Sequence, residues 1–247
     1  MRTIRFAGLI SLSAALCAQA PRFEVASVKP TPPDQYNGSS GIASGHGRID
    51  GERVTLLRCI LGAYHVSPRQ VIGGPPWLDT DRFEIAAKAD HRTEDDEELM
   101  IMLRALLAER FQLALHRETR TMDALVLEVV KNGPKLEKSS GTGANSNTSG
   151  SHGALNATDT PMATLAEVLS RTIGSPVVNG TNLDGAYNFK LTWNPEADRP
   201  LKPGEAPADN GPNLFTALQQ QLGLRLQARK LPVEVLVIDR AEKPAAN

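Results

Sequence analysis

The chain has 247 residues, 40% apolar, 22% charged and only 4% aromatic. Those values suit one large or two small soluble globular domains, with a core built from Leu, Val, Ile and Ala. The formal charge is −1. The basic excess that phosphate neutralisation demands is missing, so a nucleic-acid binder is excluded.

Residues 1–20 carry a basic start at Arg2 and Arg5, a short apolar stretch from Phe6 to Ala18, and the small-x-small triplet Ala18-Gln19-Ala20. This pattern predicts a secretory signal peptide, since the apolar stretch falls short of the roughly 20 residues of a membrane span. After its removal no transmembrane span is expected, and Cys59 is the one cysteine left, so no intrachain disulfide is expected either.

The first strand is predicted over residues 22–30, stopped by Pro30, Pro32 and Pro33. Residues 31–47 read as a loop, and Gly47 to Val54 as a tight hairpin or edge strand turning at Asp50-Gly51. Thr55 is placed to cap a helix running to Tyr64. Then come Val71-Ile72, a Gly-Gly-Pro-Pro turn, Trp77-Leu78-Asp79 and a strand from Arg82 to Ala89. Thr93-Glu94-Asp95-Asp96 reads as a capping-box start, its acids complementing the dipole of a helix striped by Leu99, Met102, Leu103, Leu106 and Leu107. Two further strands are predicted, Phe111 to Thr119 and Ala124 to Val130. The Gly-, Ser- and Asn-rich stretch 139–153 reads as a flexible linker.

The second half runs in the same order. A short strand from Ala154 to Thr158 precedes a helix capped by Thr160, with Pro161 at its first position. Val177 to Leu191 echoes residues 71–85: Val177-Val178-Asn179-Gly180 matches Val71-Ile72-Gly73-Gly74, Leu183-Asp184 matches Leu78-Asp79, and Phe189-Lys190-Leu191 matches Phe83-Glu84-Ile85. A Pro-rich loop, 194–212, leads to a helix with Phe215, Leu218 and Leu222, an alternating run from Leu224, and a buried strand from Val233 to Ile238. The predicted class is α+β: two tandem repeats of a strand-helix-strand-strand-helix-strand-strand unit, with mixed or antiparallel sheets packed by helices. The expected divisions are a signal peptide (1–20), a first repeat with its N-terminal strand (21–138), a linker (139–153) and a second repeat (154–247).

The pieces FEVASVKP, LLAERFQLALHRETR, VVKNGPKL, VVNGTNLDGAYNFKLTW and QLGLRLQARKLPVEVLVIDRAEKP span nearly all of the chain beyond residue 20. Together they resemble an uncharacterised, soil-associated family of exported bacterial proteins carrying a domain of unknown function. Similar domains in that family occur fused to membrane sensor peptidases. The resemblance implies export but brings no established activity, cofactor or catalytic residue. The chain departs from the family pattern at Asn179, where Asp is usual, and at Ala245-Ala246-Asn247, where Ser-Glu-Asn is usual.

No assembled catalytic motif is visible: no H-E-x-x-H, G-x-S-x-G, Walker loop or paired C-x-x-C. No metal or cofactor site is expected. Cys59 sits among apolar residues, with nothing beside it to lower its pKa, and reads as a small buried hydrophobe rather than a nucleophile. The contact candidates are Trp77, Asp79, His116, Asp184, Tyr187 and Arg225. Each has a plain reading beside the functional one. Trp77 closes a core or anchors a partner; Asp79 and Asp184 hold turns, or Asp79 binds a cation together with Asp81; His116 is a half-exposed sheet residue or a catalytic base; Arg225 is a solvated sheet residue or forms an anion-binding strip with Arg229 and Arg117. The expected function is that of an exported, non-catalytic binding or interaction protein of the cell envelope, contacting an envelope protein or a small ligand. The alternative is a secreted hydrolase whose site no motif reveals.

Overall fold

The structure is a computed structural model, and it describes residues 21–37, 40–143, 146–151, 153–197 and 211–244. The expected signal peptide, most of the Pro-rich loop and the departure at 245–247 lie outside the described residues. In chain order the first half contains β1 (Val25–Pro30), β2 (Gly41–Gly45), β3 (Arg48–Thr55), α1 (Leu56–Tyr64), β4 (Val71–Gly73), β5 (Arg82–Lys88), α2 (Asp96–Arg110) and β6 (Ala114–Val129). The second contains β7 (Glu137–Lys138), β8 (Asn147–Ser151), β9 (Ala154–Pro161), α3 (Met162–Ile173), β10 (Val177–Asn179), β11 (Ala186–Thr192), α4 (Leu214–Ala217) and β12 (Leu224–Arg240).

The class is α+β, with helices packed on three sheets. Two outer sheets are antiparallel, in the orders β1-β5-β3-β2 and β7-β11-β9-β8. The central sheet, β10-β6-β12-β4, is mixed and is made by both halves. Its spine is the antiparallel pair β6–β12, in register from Leu224↔Val129 to Arg240↔Ala114. The short strands change sides: β4 of the first half runs parallel to β12, and β10 of the second runs parallel to β6.

This exchange also reaches the cores. The first core gathers Leu56 and Ile60 of α1, Leu99, Leu103 and Leu107 of α2, and Phe83 and Ile85 of β5, but it also takes Leu236 and Ile238 from β12. The second core gathers Leu165 and Leu169 of α3 with Leu218 and Leu222, and takes Leu127 from β6. Each half therefore completes its apolar interior with side chains from the other.

Several local expectations are corrected. The hairpin turns at His46-Gly47, not at Asp50-Gly51. β2 pairs with β3 from Gly41↔Glu52 to Gly45↔Arg48, and both turn residues take positive φ (52° and 76°), as a two-residue primed turn requires. Asp50 and Gly51 instead lie within β3, beside a bulge against β5. The second helix is capped by Asp95, whose carboxylate accepts from the Glu97 and Glu98 amides, while Thr93 Oγ1 accepts from the Asp95 amide. Thr160 does not cap α3. Pro161 is its N-cap, and the Thr160 hydroxyl donates to the Thr158 carbonyl at 3.0 Å. The expected cap at Thr55 is present, its hydroxyl accepting from the Arg58 amide at 3.2 Å.

The stretch 139–153 contains β8, which pairs with β9 from Asn147↔Thr158 to Ser151↔Ala154. A free sheet edge captures backbone whatever its side chains, so Gly- and Ser-rich composition does not prevent pairing. The two pairs of strands predicted at the ends of the halves are the single strands β6 and β12, of 16 and 17 residues. Pro232 does not break β12, because β4 covers only Leu236 to Ile238. At Pro232 the strand has β6 on one side and no partner on the other.

Candidate functional site

The structure scatters the six contact candidates. Trp77 belongs to the first core, stacked on Phe111 (6.5 Å between centroids, 24°) and edge-on to Phe83 (6.3 Å, 70°). Lys243 covers its outer face at 5.8 Å and pairs with Asp81 at 2.6 Å. Asp79 is exposed at the end of a turn of 3₁₀ helix, Pro76–Asp79, whose Leu78 is buried. Tyr187 is buried in β11, and its hydroxyl donates to the Asp184 carbonyl at 3.2 Å, so those two hold a turn together. Asn179 likewise serves a turn: its side-chain oxygen accepts from the Thr181 amide and hydroxyl at 3.1 and 2.8 Å. Asp would supply the same acceptor at this position.

His116 and Arg225 share one face of the β6–β12 ribbon, near its opposite ends, because their register partners are Val237 and Glu128. Arg225 and Arg229 both pair with Glu128. The His116 ring donates from Nδ1 to Asp239 (2.9 Å) and from Nε2 to Glu118 (3.1 Å), and Glu118 in turn accepts from Arg120. Hydrogen bonding to Asp239, then to Glu118, holds His116 above the ordinary 6.5. A histidine with a raised folded-state pKa stabilises while protonated. Its contribution is complete below the ordinary value and disappears as pH rises through the raised one. An NMR titration should place the His116 midpoint above 6.5, and Asp239→Asn should lower it. A midpoint at or below the free-histidine value would contradict this network.

Cys59 is 1% exposed, and burial pushes its thiol up to about 12, with Arg58 opposing weakly. It is a packing residue, as its apolar neighbours suggested. A maleimide should leave it unmodified at pH 8 until the protein unfolds; rapid labelling of folded protein would show that the first core opens.

What the structure brings together lies elsewhere, where the two halves meet. The C-terminus of α1 faces the C-terminus of α3. Arg171 Nη1 donates to His65 Nδ1 at 3.4 Å, and Arg69 Nη1 donates to Ser175 Oγ at 3.4 Å. Both contacts join residues 106 positions apart, the offset that also separates Val71 from Val177. His65 is held for this contact by a left-handed backbone (φ 53°) at the end of α1, and Gly174 takes the same conformation (φ 74°) at the end of α3. The Nε2 of His65 donates to Glu97 at 3.2 Å, and Glu97 also accepts from Arg104 at 2.9 Å.

On each side of this junction lies an open groove. The first, about 570 Å³, is walled by Ile42 of β2, Leu61 and Val66 at α1, and Met100 and Leu103 of α2. The second, about 690 Å³, is walled by Thr148 of β8, Val168 and Ile173 of α3, Trp193 after β11, and Leu214 and Phe215 of α4. Each groove thus takes an edge strand and two helical segments from its own half, and Arg171 lines both. Volumes of this order and mostly apolar walls with a few polar groups are typical of ligand sites.

The groove residues are polar in a particular way. Among the described residues, eleven of the fifteen arginines stand within 4.0 Å of a carboxylate, as Arg48, Arg104, Arg117 and Arg240 do. The exceptions are Arg58, Arg69, Arg82 and Arg171. Arg82 lies over the Tyr36 ring at 5.6 Å, while the other three gather at the junction and the first groove. None of these three was singled out by sequence pattern. The one signal pointing to Arg69 and Arg171 was the 106-residue offset, which relates His65 to Arg171 and Arg69 to Ser175; no such signal marks Arg58.

Fold and site together define an α+β protein of two interlocked sheet-and-helix halves with paired grooves at their junction. Residues 57–241, well over half of the chain, match the profile of DUF3738, a protein family of unknown function, and the chain belongs to that family. Neither curated proteins nor solved structures show a significant match. Among the described residues, no helix is long and apolar enough to cross a membrane, and no group of three or more His, Cys, Asp or Glu side chains is placed to hold a metal ion.

Proposed function

We propose that this chain is an exported, non-catalytic binding protein of the bacterial cell envelope, and that its ligand lies in the grooves between its two halves. The observation that carries this reading is the pair of grooves meeting at Arg171, apolar along their walls and polar at their junction. The signal-peptide pattern and the family resemblance support export. Duplication of an ancestral half is part of the reading. It is supported by the sequence echo, the matching strand orders of the outer sheets, and contacts between residues 106 positions apart.

Gly62 offers the test. It lies in α1 and lines the first groove, and a Cβ added there meets nothing within 4 Å. Gly62→Trp should therefore fill the groove without displacing the helix. Fractions of envelope extract are screened by thermal shift against wild type and this variant. At least one fraction should raise the melting temperature of wild type and leave Gly62→Trp unmoved. Consumption of the active component during incubation would instead support the hydrolase alternative and overturn the binding reading.

A further inference from the structure

We infer that the first groove selects an amphiphilic carboxylate, with its apolar body along Leu61, Met100 and Leu103 and its anionic end against Arg58 and Arg171. The inference rests on the binding reading above and names the ligand class of the same site.

The charge arrangement carries it. Arg58 projects from the first turn of α1, and its contact beyond the backbone is a 3.4 Å hydrogen bond to Ser40 Oγ. Arg171 lines the groove from α3 and has a 3.4 Å hydrogen bond to Nδ1 of the His65 ring. Among the described residues neither has a carboxylate within 4.0 Å, although eleven of the other thirteen described arginines do. The acids near the groove are engaged. Glu97 is held by Arg104 and His65, and Asp96 accepts from Ser44 Oγ at 3.3 Å. Partial desolvation lowers the arginine pKa of Arg171, with Glu167 opposing. That is the state of a guanidinium partly withdrawn from water, with Glu167 one helical turn away but outside ion-pair distance. A carboxylate supplies a counter-charge with planar, two-point geometry, which suits arginine better than a point cation. Apart from Ser44, His65 and Asp96, the walls beside the two guanidiniums are apolar, so an anion that fills the groove carries an apolar body.

The test is isothermal titration of the purified protein with decanoate, with 1-decanol as the uncharged match and decyl phosphate as the match for a phosphate head group. Vesicles of dioleoyl phosphatidylglycerol serve as a lipid surface. Decanoate should bind at least tenfold more tightly than 1-decanol. Arg58→Gln and Arg171→Gln should each weaken decanoate by about tenfold, the loss expected for one charge-assisted hydrogen bond, without changing 1-decanol. Arg171→Lys should restore part of the affinity, and an unchanged melting temperature checks that each variant is folded. Equal binding of decanoate and 1-decanol, or silent arginine variants, overturns the anion inference while leaving groove binding intact. Binding of decyl phosphate or vesicles without decanoate also overturns it, because the ligand is then a phosphate. Decanoate binding that Gly62→Trp leaves unaltered removes the ligand from the groove, and the binding reading fails with it.

Discussion

Cutting the chain after residue 145 should leave neither piece folded alone, and co-expressing both pieces should restore the fold. The expectation follows from the exchange of strands. A fragment ending at 145 keeps α1, α2 and the first outer sheet but loses Leu236 and Ile238, both buried in its core, and the whole length of β12 along β6. The complementary fragment loses Leu127, which is 0% exposed in the second core, and the support of β6 under β10. Burying one such side chain contributes about 1.5–3 kcal/mol. Two of them together are comparable with the entire net stability of a small domain, roughly 5–15 kcal/mol. Circular dichroism and amide NMR dispersion of each fragment provide the measurement. Native-like dispersion and cooperative melting of the first fragment alone would show that the halves are independent and that the interlock is decorative.

Phe111→Ala is expected to destabilise the protein by about 3–5 kcal/mol, and Trp77→Ala by somewhat less. Phe111 is 0% exposed and meets Phe83 edge-on at 5.0 Å, with Trp77 stacked on its other side. Removing it leaves a cavity at the centre of the first core and breaks two aromatic contacts, each worth about 0.5–1.5 kcal/mol beyond the buried area. Trp77 is only partly buried, so its loss leaves a site that solvent and Lys243 can partly refill. Equilibrium urea unfolding reads both values. Trp77 lines neither groove, so Trp77→Ala should melt at a lower temperature yet bind any groove ligand with unchanged affinity. A folded Trp77→Ala protein that has lost binding would make Trp77 part of the binding surface.

Trp77 illustrates how far sequence reasoning reaches. A Trp after Gly-Gly-Pro-Pro is compatible with an exposed anchor or a core plug, and only the positions of Phe83 and Phe111 decide between them. The groove arginines are the reverse case. Arg58 and Arg171 look like any surface arginine in the sequence, and what distinguishes them is the lack of a carboxylate within reach. That is a property of where every acid ends up, and no local pattern records it.

The sequence by itself determined the α+β class, the helices, the strand after the Gly-Gly-Pro-Pro turn and the echo between residues 71–85 and 177–191. These features follow from periodicity, caps and turn residues, which act over a few positions. Partnership was decided only by the tertiary structure. A two-residue alternation says which face of a strand is apolar but not which strand lies beside it. The exchange of β4 and β10 between halves was therefore hidden, and so was the fusion of four short runs into β6 and β12. The meeting of α1 and α3 at His65 and Arg171 depends on that exchange, because the shared central sheet brings the two helix ends together. The grooves, and with them the proposed site, are a consequence of long-range pairing.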